Sequence, residues 1–522
     1  MLEKIINFKL KGFLKKRARW IVKFLNSKFD INTSQKNQLV SLHILWQRIY
    51  NFEKMYPVNC LKIQNTYIYP FLRNYLWIRM TMLSNKGIDV DSPYILQGGG
   101  ESKIPYRIRQ TIKERLNAVE IEELQENKVD ILFFTHISSG ENLTVGGKIY
   151  QRLTDPFVEE FSKTVTVKKI GIVKSSDIDL TPDDFHHPYI PLIYPYIFKR
   201  GYAEELPFSW DFLDVLKKTT GLKFTKDSLK IFFDWEFFIK DWYKELLLKL
   251  KPKLVVCHHL QWNAPLFVAA QELGIKTADI QDGELIGGVN PTYNGWYKIM
   301  PREGYESLPN YFFMRSEKDC RHIEKEFTGL KHKAVLLGNP YLYIQKRFIS
   351  GFIKNKYNNM FKKYNKIVVF LLAMDLPDIF KDIVANSNED VLFILRHHPN
   401  PVKKFSTNDF FGIPHNNLLI GDDFDNCVIG ELFNVCNCAI SSGSAASKEF
   451  VQWKDNVASF IFNESTSKHY QTEIENGNLI FINDYNEFYE HLKKETLSLP
   501  FEETKIHTQK AIRQFIIEEL KG

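Results

Sequence analysis

Arg396-His397-His398-Pro399 closes the apolar run Val391–Leu395, and Ser441-Ser442-Gly443-Ser444 closes Cys438–Ile440. Both turns carry groups suited to an anion. Pro399 fixes its turn and biases His398 away from helix, which holds an imidazole where it can donate to a phosphate. Histidine suits that task because modest shifts move its protonation through neutral pH. Ser441, Ser442, Gly443 and Ser444 lead into a helical stretch through Lys448 and Glu449. Hydroxyls, close backbone approach and a helix N-terminus are thus offered together, without a metal. The Gly-x-x-x-x-Gly-Lys-Ser/Thr spacing of a P-loop ATPase is not found in this turn.

Gln281-Asp282-Gly283-Glu284 ends an earlier strand and places a carboxylate beside a flexible glycine, where Asp282 can serve as a general base toward a hydroxyl. Glu284 is a rival base at this spacing. His136, after Val129–Phe134, and His258-His259, after Leu254–Cys257, are further polar groups at strand ends, with His136 and His258 candidates for an acceptor side. Each motif also has a plain structural reading: a capping histidine, a serine N-cap, an Asx turn or histidines of core and loop. Asp422-Asp423 reads as a solvated acidic loop rather than a metal pair. The six cysteines are scattered, and Cys436-Asn437-Cys438 has no His/Cys companions at zinc spacing, so reduced thiols, no metal and no cofactor are expected.

These residues need elements to hold them, and the chain supplies two series. Continuous apolar runs bounded by turns and separated by helical stretches are the pattern of parallel strands buried on both faces. The first series holds Val129–Phe134, Val165–Val173, Leu254–Cys257, Thr277–Ile280, Tyr311–Met314 and Val335–Leu337. It is interrupted at 174–250 by a loop-rich, proline-punctuated insertion followed by helices. The second series holds Ile367–Leu372, Val391–Leu395, Leu418–Ile420, Cys438–Ile440, Ala458–Phe462 and Leu479–Ile482. The reading is an α/β protein with two Rossmann-like domains facing a cleft, at 129–345 and 346–500. A basic, mostly helical N-terminal extension occupies 1–128, and a closing helix at 501–522 carries Phe515, Ile516 and Leu520 on one side. Arg73 and Arg79 make the aromatic stretch near 75–84 a buried helix rather than a membrane contact.

With 522 residues and 44% hydrophobic content, the chain can build large cores. Its formal charge of +7 is concentrated at one end. Residues 1–30 hold nine basic groups against Glu3 and Asp30; 69 basic less nine leaves 60, and 62 acidic less two leaves 60, so the rest is balanced. A nucleic-acid binder would spread a basic face over its folded body, and that class is set aside. Leu2, Ile6, Leu10, Phe13, Trp20 and Phe24 form an apolar stripe, interrupted by Arg17, that fits a helix lying on an anionic membrane and equally one packed on the body. No uninterrupted apolar run reaches the roughly 18 residues that span a bilayer, and charges within the N-terminal apolar positions do not match a signal peptide. A cytoplasmic protein, peripheral at the inner face of a bacterial membrane, is the expectation.

Asp282-Gly283, His398-Pro399 and Ser441-Ser442, in that order, resemble the acidic-Gly, His-Pro and Ser-Ser/Thr motifs of bacterial sialyltransferases and related capsule glycosyltransferases of GT-B fold, Kdo transferases among them. Pro291-Thr292-Tyr293-Asn294, Leu308-Pro309-Asn310-Tyr311 and Gly338-Asn339-Pro340 are similar to segments of surface-polysaccharide biosynthesis proteins. The resemblance covers roughly residues 129–500. It implies a glycosyltransferase moving a sugar, with CMP-activated sialic acid or a Kdo-type sugar preferred, from a nucleotide donor to a capsule or lipopolysaccharide acceptor. In that scheme Asp282 is the base, His398 binds the donor phosphate and assists departure of the nucleotide, and Ser441 and Ser442 hold the phosphate. Gln281 departs from the pattern, standing where an acidic residue is commoner. A UDP-sugar 2-epimerase, a CDP-polyol phosphotransferase and a non-enzymatic polysaccharide-assembly scaffold are the competing readings.

Overall fold

The computed structural model describes residues 42–86, 106–126, 128–137, 142–173, 179–193, 195, 201–203, 205–209, 211–283, 291–372, 376–387, 390–398, 404–410, 416–441, 444–454, 457–462, 470–492 and 501–521. Glu284, Pro399, Ser442, Gly443 and the stripe of residues 1–30 lie outside the described residues.

The apolar runs become strands because their side chains are buried on both faces, as parallel sheets covered by helices require. In the first sheet β1 is Ile131–His136, β2 Val167–Ile172, β3 Ile190–Leu192, β4 Leu254–His258, β5 Lys276–Ile280, β6 Tyr311–Met314 and β7 Lys333–Leu336. They lie in the order β3-β2-β1-β4-β5-β6-β7, all parallel, with Ile131 of β1 opposite both Val167 and Leu254. Within this sheet only the edge strand β7 is without a buried residue, which fits its one-sided pairing.

The second sheet starts afresh, with β8 Lys366–Leu371, β9 Val391–Arg396, β10 Leu418–Ile420, β11 Cys438–Ser441, β12 Ala458–Phe462 and β13 Ile480–Ile482. Its order, β10-β9-β8-β11-β12-β13, is again wholly parallel. Both sheets therefore carry the Rossmann order, in which the winding reverses once. The reversal falls between β1 and β4 in the first sheet and between β8 and β11 in the second. Ligands bind beyond the carboxyl ends of the strands at such points.

Three features differ from the sequence reading. The glycine loop after β1 contains a hairpin, Asn142–Val145 with Lys148–Gln151, that turns on Gly146 and Gly147, both at positive φ. The insertion 174–250 holds the short strand β3 before its expected helices, of which Lys226–Leu250, 25 residues long, is capped by Thr225, whose hydroxyl accepts from Ser228 N at 3.0 Å. Helices Leu42–Met55 and Tyr69–Lys86 are not a separate extension, since Ile49, Phe52, Leu72 and Tyr75 share one core with β1, β4 and the long helix. Arg73 and Arg79 are indeed buried.

The C-terminal helix Phe501–Phe515 and its last, wider turn Ile516–Leu520 return to the first half. Ile512, Phe515, Ile516 and Leu520 join Phe157, Phe161 and Phe313 in one core, and Lys253 Nζ donates to Leu520 O at 2.9 Å. The halves also touch along their strand ends. Lys318, after β6, meets Glu473 of the second half at 2.7 Å, and Glu473 holds Lys448 at 3.2 Å.

Candidate functional site

In the first half, the winding reversal brings together residues from three strand ends. His136 ends β1, His258 ends β4 with His259 next, and Asp282 follows β5 by two residues. His258 and His259 ring centroids are 4.4 Å apart, with His136 5.2 Å from the first and 5.7 Å from the second. His259 adopts the left-handed conformation, φ 59° and ψ 64°, which costs a residue with a Cβ roughly 1–2 kcal/mol. Asn263 Nδ2 fixes that turn by donating to His258 O at 2.9 Å and His259 O at 3.1 Å. The reversed backbone separates the fates of the doublet. His258 is buried, its Nδ1 has no hydrogen-bond partner among the described residues, and burial, aided by His259 and His136, holds its imidazole well below the usual range. It therefore sits neutral beneath the surface and does not line an acceptor side as the sequence suggested. His259 turns outward, and its Nδ1 lies 2.6 Å from Asp282 Oδ2.

Asp282 answers to that contact. Burial pushes its carboxyl up, but the His259 hydrogen bond, with further attraction from His259 and Arg315, holds it well below the usual carboxylate range. Underneath, Asp279 of β5 behaves in the opposite way: burial raises it to about 8, against the lowering effect of the 2.7 Å bond from Tyr293 Oη. Two carboxylates three residues apart are thus pushed in opposite directions by their surroundings, a pattern found where proton chemistry is organised.

The turn is braced on both sides. Gln281 donates to Gly283 O at 3.0 Å and accepts from Arg315 N at 2.8 Å, so it is a buried clamp on the turn. Arg73, fully buried, donates to Pro291 O at 2.5 Å and Asn294 O at 3.0 Å, pairs with Glu53 at 2.6 Å, and stacks over Trp46 and Trp296. A helix from the N-terminal segment therefore fixes the loop that carries Tyr293.

The second half uses its polar groups differently. Arg396, at the end of β9, donates to Phe424 O at 2.8 Å and Cys427 O at 3.0 Å. His397 is buried against Asp425, with Nδ1 3.0 Å from Oδ2, and its Nε2 accepts from Phe405 N at 2.8 Å, so Nδ1 carries the ring proton. Both residues hold the loops around the strand end. His398, next along, is exposed. Ser441 is fully buried and corrects an expectation: its hydroxyl donates to Leu371 O of β8 at 3.1 Å and accepts from Ser444 N at 2.7 Å. It ties the two strands at the winding reversal and shapes the turn, and is not placed to hold a phosphate. The amides of Ala446 and Ser447 are likewise taken, by Ser444 Oγ at 3.4 Å and Ser444 O at 3.0 Å. Ser444 Oγ, half-buried, retains its O–H as a donor at the start of helix Ala446–Trp453.

Arg315 spans the two edges. It follows β6, attracts Asp282, and its Nη1 lies 3.8 Å from Oε1 of Glu449 on the helix after the serine turn; Asn339 Nδ2 reaches the same oxygen at 3.5 Å. The carboxyl ends of both sheets consequently face one cleft. The architecture is of the GT-B type.

No protein-family model and no curated protein matches the sequence. Among solved structures, the chain is similar to the UDP-GlcNAc 2-epimerase of Methanocaldococcus jannaschii, with TM-score 0.46 and 13% identity over 75% of this chain and 99% of that one. It is also similar to the UDP-GlcNAc 2-epimerase of Neisseria meningitidis bound to UDP-GlcNAc, with TM-score 0.45 and 13% identity over 75% and 100%. A third likeness is to a variant of the wall teichoic acid polymerase TagF, with TM-score 0.37 and 10% identity over 79% and 90%. Likeness at this level is one of chain arrangement, and the functional reading rests on the residues of this chain.

Asp425, Arg315 and Glu449 were not assigned a role from sequence, and His259 was named only as one of a strand-end doublet. The handedness of the turn in that doublet decides which ring is buried and which is partly exposed. Among the described residues, no group of three or more His, Cys, Asp or Glu is arranged to hold a metal ion, and no helix is long and apolar enough to cross a membrane.

Proposed function

We propose that this protein is a nucleotide-sugar-dependent glycosyltransferase acting on a bacterial surface glycan, with CMP-activated sialic acid or a Kdo-type sugar as the preferred donor. The observation that carries the reading is the pairing of unlike edges: a His259–Asp282 contact on the first half, and exposed His398 after β9 with the serine turn after β11 on the second. His398 and the Ser444 hydroxyl meet the donor phosphate, and His398 assists departure of the nucleotide. Hydrogen-bond donors aimed at developing negative charge supply this assistance without reorganisation. The acceptor hydroxyl approaches from the first half and gives up its proton to the His259–Asp282 pair. Residues 1–30, with their net charge of +7, draw the enzyme to the anionic inner face of the membrane.

Incubation of the purified protein with CMP-, UDP-, GDP- and CDP-activated donors, with and without glycan acceptors, tests this. Transfer that needs both donor and acceptor supports the reading. Conversion of a UDP-sugar to its 2-epimer without acceptor would replace it with the epimerase. Transfer of the phosphate along with the donor's alcohol group would replace it with a phosphotransferase.

A further inference from the structure

We infer that His259, rather than Asp282, takes the proton from the acceptor hydroxyl, and that Asp282 is its positioning partner; this rests on the glycosyl-transfer reading. Three observations carry it. The Nδ1–Oδ2 contact of 2.6 Å aims the Asp282 carboxylate at one ring nitrogen and leaves Nε2 as the nitrogen on the opposite side of the ring. The left-handed backbone at His259, held by Asn263, sets this ring 4.4 Å from that of buried His258, and its side chain keeps 23% of its surface exposed. Burial would raise Asp282, but the His259 hydrogen bond and the nearby Arg315 guanidinium hold its carboxylate well below the usual range. A carboxylate so stabilised is a weak base at neutral pH, whereas an imidazole titrates near it.

Among the described residues, the groups that face His259 include His258 beside it, His136 from β1 and Asp282 from the turn after β5; Asp279 lies beneath and Arg315 acts through Asp282. In the transfer step the acceptor oxygen forms its bond to the anomeric carbon while its proton moves to His259 Nε2. The bond from the anomeric carbon to the phosphate oxygen breaks, and the electron pair leaves with the nucleotide. The imidazolium, steadied by Asp282, then returns its proton to water. The carboxylate fixes the tautomer and orientation of the ring, the role an aspartate plays beside a catalytic histidine elsewhere.

His259→Asn separates this role from a structural one. Asparagine tolerates left-handed backbone and its amide nitrogen stands near the place of Nδ1, so the contact to Asp282 is kept while Nε2 is lost. The expected result is a fall in kcat of about 100-fold or more, with donor KM and melting temperature unchanged. The acid limb of the wild-type pH–rate profile disappears. In Asp282→Asn that limb remains but moves to lower pH, because the carboxylate no longer favours the imidazolium. His259→Gly, suited to the same φ, regains transfer when imidazole is added. Transfer by His259→Asn within threefold of wild type, with its acid limb intact, would overturn the inference while leaving the glycosyltransferase standing. Absence of wild-type transfer from every donor would instead overturn the glycosyltransferase itself.

Discussion

The two sheet edges that meet across the cleft have the same topology and use their polar residues in opposite ways. At the first edge, His136, His258, His259 and Asp282 crowd together, and Asp279 and Asp282 are pushed to opposite ends of the carboxylate range. At the second edge, Arg396, His397 and Ser441 are buried and bonded to backbone or carboxylate, leaving His398 and the Ser444 hydroxyl toward solvent. One edge gathers ionisable side chains; the other is a rim of buried, bonded groups with a few polar side chains left at its surface. On the proposed function, the first edge would serve the acceptor and the second the donor phosphate, which a small number of fixed donors would hold on a body without net charge.

That contrast can be broken most forcefully at the second edge. Arg396→Ala removes a buried guanidinium and strands the carbonyls of Phe424 and Cys427, a loss of about 3 kcal/mol, to be read from the urea midpoint; an unchanged midpoint would deny the rim its rigidity. His397→Ala leaves Asp425 and the Phe405 amide short of a partner and is expected to cost about 2 kcal/mol, by the same measurement.

The first edge is tested by pH. Asp279 has a folded value near 8, far above its ordinary 3.8, so the native state holds a proton there that the unfolded chain has released. Its contribution to stability is complete below the ordinary value and is lost as pH rises toward the folded one. Asp279 should contribute a fall in stability of up to about 1.4 kcal/mol between pH 6 and pH 7, beside a similar share from Glu236. Asp279→Asn, which keeps an oxygen for Tyr293, should flatten that fall. An unaltered slope in the variant would place the titration elsewhere, with Glu236, also raised to about 8 by burial, the first alternative. The smallest stability change is expected at His398, since exposed substitutions stay within about 0.5 kcal/mol, even as transfer by His398→Ala drops about 100-fold.

Most of the framework was legible because parallel strands buried on both faces declare themselves as apolar runs: Tyr311–Met314, Leu418–Ile420 and Ala458–Phe462 are the strands at those residues. The three-residue β3 and the hairpin at 142–151 were missed, since short edges amid Pro, Gly and charge carry little periodicity. At the site, the motifs located both edges but not the direction of each side chain. Nothing in Arg396-His397-His398 says that His397 turns inward to Asp425, 28 residues away, while His398 turns out. Ser441 looked like a ligand because a hydroxyl at a strand end suits a phosphate, and only the register of β11 on β8 reveals Leu371 O as its partner. The aromatic helices before residue 128 were read as an extension, since their apolar faces gave no address; Arg73 on Pro291 and Asn294 supplies one.

The division of labour between the edges is tested most directly by the melting temperature in the presence of CMP, UDP, GDP and CDP. A nucleotide at 100 times its Kd adds about 2.7 kcal/mol to the native state. The account predicts that one of the four raises the melting temperature of the wild type and of His259→Asn alike, and that the rise shrinks in His398→Ala. A rise that survives His398→Ala and vanishes in His259→Asn, or none with any nucleotide, would contradict it.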